Sequence, residues 1–274
     1  MGDQEQISVM IDGRSVKAIA EETLLRVARR NGFVIPTLCD HKAVLPYGAC
    51  RLCVVDVRRG GRTRLVVSCV YQPAEGDVVE TNSARVRQTR RMVLELLVAR
   101  CPRVAQVRKL AKEYGADQPR FRLPEGDVAH ERCILCGLCV RVCKEVIGQS
   151  AIGYAHRGAR RTVTSPLGVE SDRCIGCGAC VYVCPTGALH MADDGPVRIM
   201  QEQHTQLPLV ACRLCATPFA TEKQVTGLSG RTAVSDETLA TCPTCRRRET
   251  AKCSGACGLV SQQEMRGIAS CPKL

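Results

Sequence analysis

The feature that most constrains this chain is a spacing of cysteines that occurs twice. Cys133-x-x-Cys136-x-x-Cys139-x-x-x-Cys143 recurs 41 residues later as Cys174-x-x-Cys177-x-x-Cys180-x-x-x-Cys184. Thiols packed this densely form disulfides or hold metal, and the two alternatives belong to opposite redox compartments. Met1 to Leu25 shows no charged-then-apolar leader pattern, and no stretch approaches the ~20 consecutive apolar residues of a membrane span. The expectation is a reducing, cytoplasmic setting without a direct membrane span, where short Cys-x-x-Cys spacings are read as metal sites.

Composition points the same way. The chain has 20 cysteines in 274 residues but only five Tyr, three Phe and no Trp. Large rings cannot be the main source of core burial, so small modules must be held together by something else. Two Cys-x-x-Cys-x-x-Cys-x-x-x-Cys runs are a poor match to the paired knuckles of tetrahedral zinc sites. The twin run resembles that of bacterial two-cluster ferredoxins, in which three cysteines of one loop and the distant fourth of the other bind each cubane. The resemblance assigns Cys133, Cys136, Cys139 and Cys184 to one [4Fe-4S] cluster, and Cys174, Cys177, Cys180 and Cys143 to another. Gly137, Gly176 and Gly178 lie where backbone must wrap a cluster, and Pro185 follows Cys184, whereas Lys144 follows Cys143. Between the repeats, 151–156 and 161–164 are predicted to form a small hairpin turned at Gly158, and His156 and His190 to be surface or packing residues.

Upstream, 7–11 and 15–19 read as a hairpin turned at Asp12-Gly13, and 21–31 as an amphipathic helix with Leu24, Leu25 and Val27 inward. A second hairpin is predicted over 52–57 and 63–69, turned at Gly60-Gly61. Strand, strand, helix, strand, strand is a β-grasp order. Its loops carry Cys39, then after ten residues Cys50, after two Cys53, and after fifteen Cys69. The first gap exceeds that of plant-type [2Fe-2S] proteins. Ile35-Pro-Thr-Leu-Cys39 with Gly48-Ala-Cys50-Arg-Leu-Cys53 resembles the [2Fe-2S] domain that opens the large iron–sulfur subunit of respiratory complex I, iron-only hydrogenases and several NAD-linked formate dehydrogenases. On that resemblance Cys39, Cys50, Cys53 and Cys69 hold one [2Fe-2S] cluster. A zinc site from the same four residues is the alternative.

In the resembled family a His-plus-three-Cys cluster site follows. Here 82–100 reads as the leading helix, with Val86, Val93, Leu94, Leu96 and Leu97 as its apolar face, but the site is missing. Cys101 is expected to be a structural thiol, with Pro102 opening another helix that runs to Tyr114-Gly115. His130 precedes Cys133 by three positions, which is not the family spacing.

The tail carries Cys212-x-x-Cys215 and, 26 residues on, Cys242-x-x-Cys245. Paired knuckles read as a zinc ribbon holding one Zn2+. A further iron–sulfur cluster is the rival, because Cys253, Cys257 and Cys271 supply spare ligands. Arg246-Arg247-Arg248 is a solvated basic run, or a docking patch.

The expected architecture is therefore α+β: a β-grasp [2Fe-2S] domain over 1–81, a helical linker over 82–127, a two-[4Fe-4S] ferredoxin-like domain over 128–195, and a zinc-ribbon-like tail over 205–274. The formal charge of +12 invites a nucleic-acid reading. Three clusters of net charge −2 would lower it to about +6, so the basic surplus partly balances buried anions. No Gly-x-Gly-x-x-Gly turn, Walker loop or Ser/His/Asp set competes. The expected function is an electron-relay subunit without nucleic acid, working in a hetero-oligomer. The resemblance implies a flavoprotein that oxidises NAD(P)H on one side. On the other it implies a catalytic subunit such as a hydrogenase, a molybdenum or tungsten oxidoreductase, or a quinone-reducing module. A zinc-stabilised nucleic-acid-binding protein and an iron–sulfur redox sensor are the alternatives.

Overall fold

The computed structural model describes residues 6–19, 21–118, 120–121, 131–229 and 232–257, of which 252–257 by backbone alone. Two compact units make up the chain, one of Met1–Leu167 with Ala179–Leu189, the other of Gly168–Gly178 with His190–Leu274. The architecture is mixed α and β.

In the first unit β1 (Gln6–Ile11) and β2 (Arg14–Ile19) form the predicted hairpin, followed by α1 (Leu24–Arg30). The second hairpin, β3 (Val54–Arg59) and β4 (Arg62–Val67), pairs Val54 with Val67 through Arg59 with Arg62. A further strand, β5 (Val78–Glu80), completes a sheet of order β2-β1-β5-β3-β4. β5 runs parallel to β1 and antiparallel to β3. Sequence patterning does not find it, because three residues are too few to show an alternation; pairing on both edges makes it a strand. Period-2 burial holds in β1, where Val9 and Ile11 face in, and α1 covers that face with Leu24, Leu25 and Val27, all fully buried.

Asp77 fixes the entry to β5. Its fully buried carboxylate accepts from Arg59 Nε (2.6 Å) and Nη2 (2.7 Å), from the Tyr71 hydroxyl (2.9 Å) and from the Ala74 amide (3.0 Å). Burial alone pushes this carboxyl up; Arg59, the Ala74 amide and Tyr71 together outweigh it and hold it below the ordinary carboxylate range.

α2 (Ala84–Arg100) starts at Ser83, whose hydroxyl accepts from the Val86 amide (3.2 Å). Its hidden face is Val86, Arg90, Leu94 and Val98, spaced by four, with Glu95 beside it. The predicted apolar face is corrected at Leu96, which is half exposed. Hydrophobicity alone could not show that two charged residues take inward positions. α3 (Ala105–Glu113) begins three residues after Pro102 and packs on α2. The hairpin β6 (Gly153–Ala155) and β7 (Thr162–Thr164) is present, turned through Gly158–Arg160. Two short helices carry cysteines: α4 (Leu138–Arg141), which continues as a π turn over Val142–Val146, and α5 (Ala179–Tyr182).

The second unit holds a four-stranded sheet that the sequence patterning does not predict: β8 (Met191–Asp194), β9 (Val197–Met200), β10 (Thr205–Ala211) and β11 (Pro218–Thr221), in order β11-β10-β9-β8. The signal existed in Thr205-Gln-Leu-Pro-Leu209, where alternate residues are buried. α6 (Glu222–Leu228) opens on a capping box between Thr221 and Gln224; α7 (Asp236–Leu239) and α8 (Pro243–Cys257) follow.

Asp77→Asn should cost roughly 1–3 kcal/mol, since it removes the charged acceptor from a buried network. Because the folded pKa is depressed, that contribution is complete well above the ordinary carboxylate pKa and fades as pH falls through the folded value, so the deficit is full at pH 7. A lower thermal midpoint at pH 7 is expected; an unchanged midpoint would remove Asp77 from the account of β5.

Candidate metal centres

Cys39 ends the loop after α1, Cys50 and Cys53 lie in the turn into β3, and Cys69 follows β4. The β3–β4 hairpin sets Cys53 beside the residue preceding Cys69: the Ser68 amide (3.0 Å) and hydroxyl (2.7 Å) both donate to the Cys53 carbonyl. All four cysteines are buried. Main-chain amides point at the sulfurs, with Leu38 N–H donating to Cys50 Sγ and Cys50 N–H to Cys39 Sγ, each at 3.4 Å. Gly48, at φ +71°, takes the left-handed backbone conformation that favours glycine. Hydrogen bonds from the Cys50 and Cys69 thiols hold Cys39 down at about 2 and push Cys50 and Cys69 far up. The Cys69 thiol likewise lowers Cys53 to about 7. Hydrogen bonds link the thiols of Cys50, Cys39, Cys69 and Cys53 in series, and a cationic core among them would let several ionise together, which fits an iron–sulfur cluster or a metal ion.

Cys133, Cys136 and Cys139 lie around the start of α4, and Cys184 follows α5 in the same unit. Burial pushes Cys136 up to about 11 and raises Cys133 and Cys139; Cys184 adds to the shift of each, so the fold brings it within electrostatic reach of all three. The Ala188 amide donates to Cys184 Sγ (3.2 Å). Gly137 sits at φ +74°, and a Cβ there would lie 2.4 Å from the Tyr154 hydroxyl. Glycine is required both for the left-handed turn and for the close approach of Tyr154.

Of the second set, Cys143 and Cys180 belong to the first unit, where the Ala151 amide donates to Cys143 Sγ (3.2 Å). Cys174 and Cys177 belong to the second unit, on a loop sewn to its sheet. There Arg198 donates to the Gly176 carbonyl (3.1 Å), Thr221 to that of Ile175 (2.5 Å) and Lys223 to that of Asp172 (2.9 Å). A Cβ on Gly176 would meet Leu207 at 2.7 Å and Thr221 at 2.8 Å.

In the tail the sulfurs of Cys212, Cys215, Cys242 and Cys245 all lie within 4.8 Å of one another. One tetrahedral ion with Zn–S bonds of ~2.3 Å sets sulfurs ~3.8 Å apart. The quartet therefore fits a single ion, whereas a cubane holds its thiolates farther apart. The first knuckle sits in the β10–β11 turn, and the second opens α8, with α6 and α7 between them. The Cys242 amide donates to Cys212 Sγ (3.2 Å) and is the main cause of that thiol's fall to about 6, while the Cys242 thiol is the main cause of the rise of Cys245 to about 12. Cys253 and Cys257 lie on the α8 backbone, and Cys271, like His130, is outside the described residues. His190 pairs with Glu202 (2.6 Å). Cys101 is fully buried in the core beside α2, and burial pushes it up to about 12.

Sequence reasoning missed the arginines that grip the cysteine loops. Arg90 donates to the carbonyls on both sides of Cys53, Arg141 to those of Cys39 (3.1 Å) and Leu45, and Arg100 to that of Cys133 (2.9 Å). An arginine in a helix reads as solvated, and nothing local marks it as inward.

Residues 4–84 match the family described as a 2Fe-2S iron-sulfur cluster binding domain, and 132–188 that described as a 4Fe-4S dicluster domain. Two segments of the chain thus match ferredoxin-type iron–sulfur domains. The chain is homologous to subunits of NADH-linked oxidoreductases. It is 36% identical over 181 residues to an NADH-quinone oxidoreductase subunit of Rhizobium meliloti (strain 1021), covering 58% of this chain and 21% of that one. The mitochondrial 78 kDa subunit of Candida albicans NADH-ubiquinone oxidoreductase is 33% identical over 175 residues (56% and 24%), and the NADPH-Fe(3+) oxidoreductase subunit alpha of Geobacter sulfurreducens 32% over 172 (56% and 20%). The chain spans about a fifth to a quarter of the length of these relatives. A chain from the crystal structure of an NAD+-reducing [NiFe]-hydrogenase in the H2-reduced state aligns with a TM-score of 0.49 at 23% identity, covering 85% of this chain and 98% of that one. No helix among the described residues is long and apolar enough to cross a membrane.

Gly137→Ala should lower the iron bound per chain, while Gly153→Ala, with nothing within 4 Å of the new methyl, leaves it unchanged. Iron analysis of the two variants side by side tests this; equal iron contents would sink the claim.

Proposed function

We propose that this chain is an electron-relay subunit of a larger NAD(P)H-linked oxidoreductase. Cys39, Cys50, Cys53 and Cys69 hold a [2Fe-2S] cluster on a β-grasp domain. Cys133, Cys136, Cys139 and Cys184 hold one [4Fe-4S] cluster; Cys174, Cys177, Cys180 and Cys143 hold the second. Cys212, Cys215, Cys242 and Cys245 hold Zn2+, which staples the tail without redox chemistry. Bound clusters supply one-electron oxidation and reduction. The protein's residues keep them buried, fix their spacing and aim amides at their sulfurs. A flavoprotein that oxidises NAD(P)H is the donor or acceptor on one side and a catalytic oxidoreductase subunit on the other, in a cytoplasmic hetero-oligomer.

The observation that carries this reading is a shared core. Cys39 and Cys50 of the first quartet and Cys136 of the second are buried in one cluster with Leu38, Leu52 and Leu138. A fold that sets two cysteine sites into one dry core suits electron transfer between them.

Iron, acid-labile sulfide and zinc should be counted on anaerobically purified chain, with low-temperature EPR after dithionite reduction. About ten iron (two, four and four) with about one zinc, and signals of one binuclear and two coupled cubane centres, is the expected result. About fourteen iron without zinc would move the tail quartet into a fourth cluster. Little iron with several zinc would overturn the relay and bring the nucleic-acid alternative forward. Clusters that reduce but carry no turnover-linked electrons in the assembled complex would make the protein a sensor.

A further inference from the structure

Arg90 is the largest fully buried side chain among the described residues, 2% exposed. Its guanidinium donates from Nε to the Leu52 carbonyl (3.0 Å), from Nη2 to the Val54 carbonyl (2.7 Å) and from Nη1 to the Tyr114 hydroxyl (3.1 Å), with the Tyr114 ring 5.7 Å away. Each of these partners is neutral. The acids nearest in the sequence and the sheet are engaged elsewhere. Glu95 takes Arg91 (3.3 Å) and Arg120 (2.8 Å), and Asp56 takes Arg85 and Ser83. Arg198 in the second unit shows the ordinary arrangement, since it also grips a cysteine-loop carbonyl but carries Asp193 as a bidentate counter-charge (2.7 and 2.8 Å).

A buried cation without a carboxylate is costly unless another negative charge offsets it. Leu52 and Val54 flank Cys53, so the anion within reach is the cysteine quartet itself. We infer that Arg90 is the built-in counter-cation of the Cys39/Cys50/Cys53/Cys69 cluster and sets its reduction potential. The inference rests on the [2Fe-2S] reading given above. With four thiolates the cluster carries two negative charges when oxidised and gains a third on taking up one electron. A fixed guanidinium in a low-dielectric core stabilises the more negative state and raises the potential. Arg90 is a positioning residue in this account: it holds the backbone on both sides of Cys53 and supplies charge, but it does not ligate.

Redox titration by EPR of the full chain, in wild type and in Arg90→Gln and Arg90→Lys, separates charge from packing. Gln keeps hydrogen-bond donors and removes the charge; Lys keeps the charge and loses the fork. Arg90→Gln is expected to lower the reduced-to-oxidised ratio of the binuclear centre about tenfold at a given potential, about 59 mV for one electron, with the cubane signals unmoved. Arg90→Lys should stay within about threefold of wild type. A binuclear centre that titrates alike in wild type and Arg90→Gln, or shifts equally in both variants, overturns the inference. Should Arg90→Gln fail to assemble, assembly of Arg90→Lys near the wild-type potential supports it, and failure of both overturns it. A wild-type chain with no binuclear signal defeats the cluster reading as well, which separates the two failures.

Discussion

Loops that wrap a metal cluster turn their amides toward sulfur, and this leaves their carbonyls facing away with no strand or helix to receive them. Buried carbonyls must be satisfied. In this protein side chains from neighbouring elements do it, and most are arginines. Arg90 takes the carbonyls of Leu52 and Val54, Arg141 those of Cys39 and Leu45, Arg100 that of Cys133, and Arg198 that of Gly176, with Thr221 on Ile175. The planar five-donor fork suits this task better than an ammonium group, because one side chain can satisfy two or three carbonyls at once. Each arginine contact also sets a positive charge on a cysteine loop, so loop geometry and charge balance are served by the same residues.

α2 is the element through which the first unit obtains this arrangement. Its hidden face presents Val86, Leu94 and Val98 to the core, and the same face carries Arg90. Its last residue, Arg100, reaches the loop at Cys133 and the carbonyls of Ala159 and Arg161 near the β6–β7 hairpin. One helix thereby touches both the loop of Cys53 and that of Cys133. Arg141 adds a second tie, since it leaves α4 and bonds the loop between Cys39 and Tyr47, with its guanidinium 5.3 Å from the Tyr47 ring. In a chain with so few aromatic residues, these polar clasps and the cysteine sites supply cohesion that rings supply in other small domains.

The second unit solves the same problem with a sheet. β9 contributes Arg198, β10 contributes Leu207 and Thr205, and β11 ends at Thr221; together they seat the loop of Cys174 and Cys177. The turn from β10 to β11 then carries Cys212 and Cys215, so one sheet supports a cysteine loop on its side chains and half of the converging cysteine quartet at its end.

The sequence alone determined the cysteine spacings, both hairpins of the first sheet, α1 with its inward Leu24, Leu25 and Val27, and the helical character of 84–100. These are short-range matters: a turn, a period of two or 3.6, or a ligand spacing is complete within a few residues. Only the tertiary structure decided that Val78–Glu80 is a strand between β1 and β3, that Leu96 faces out while Arg90 and Glu95 are buried, that 191–221 forms a sheet, and that the sulfurs of Cys212, Cys215, Cys242 and Cys245 converge. The reason is common to all four. A three-residue strand, an inward arginine, an unpredicted sheet and a quartet drawn from two distant knuckles each depend on a partner remote in the chain, and local patterning carries no record of which partner will be there.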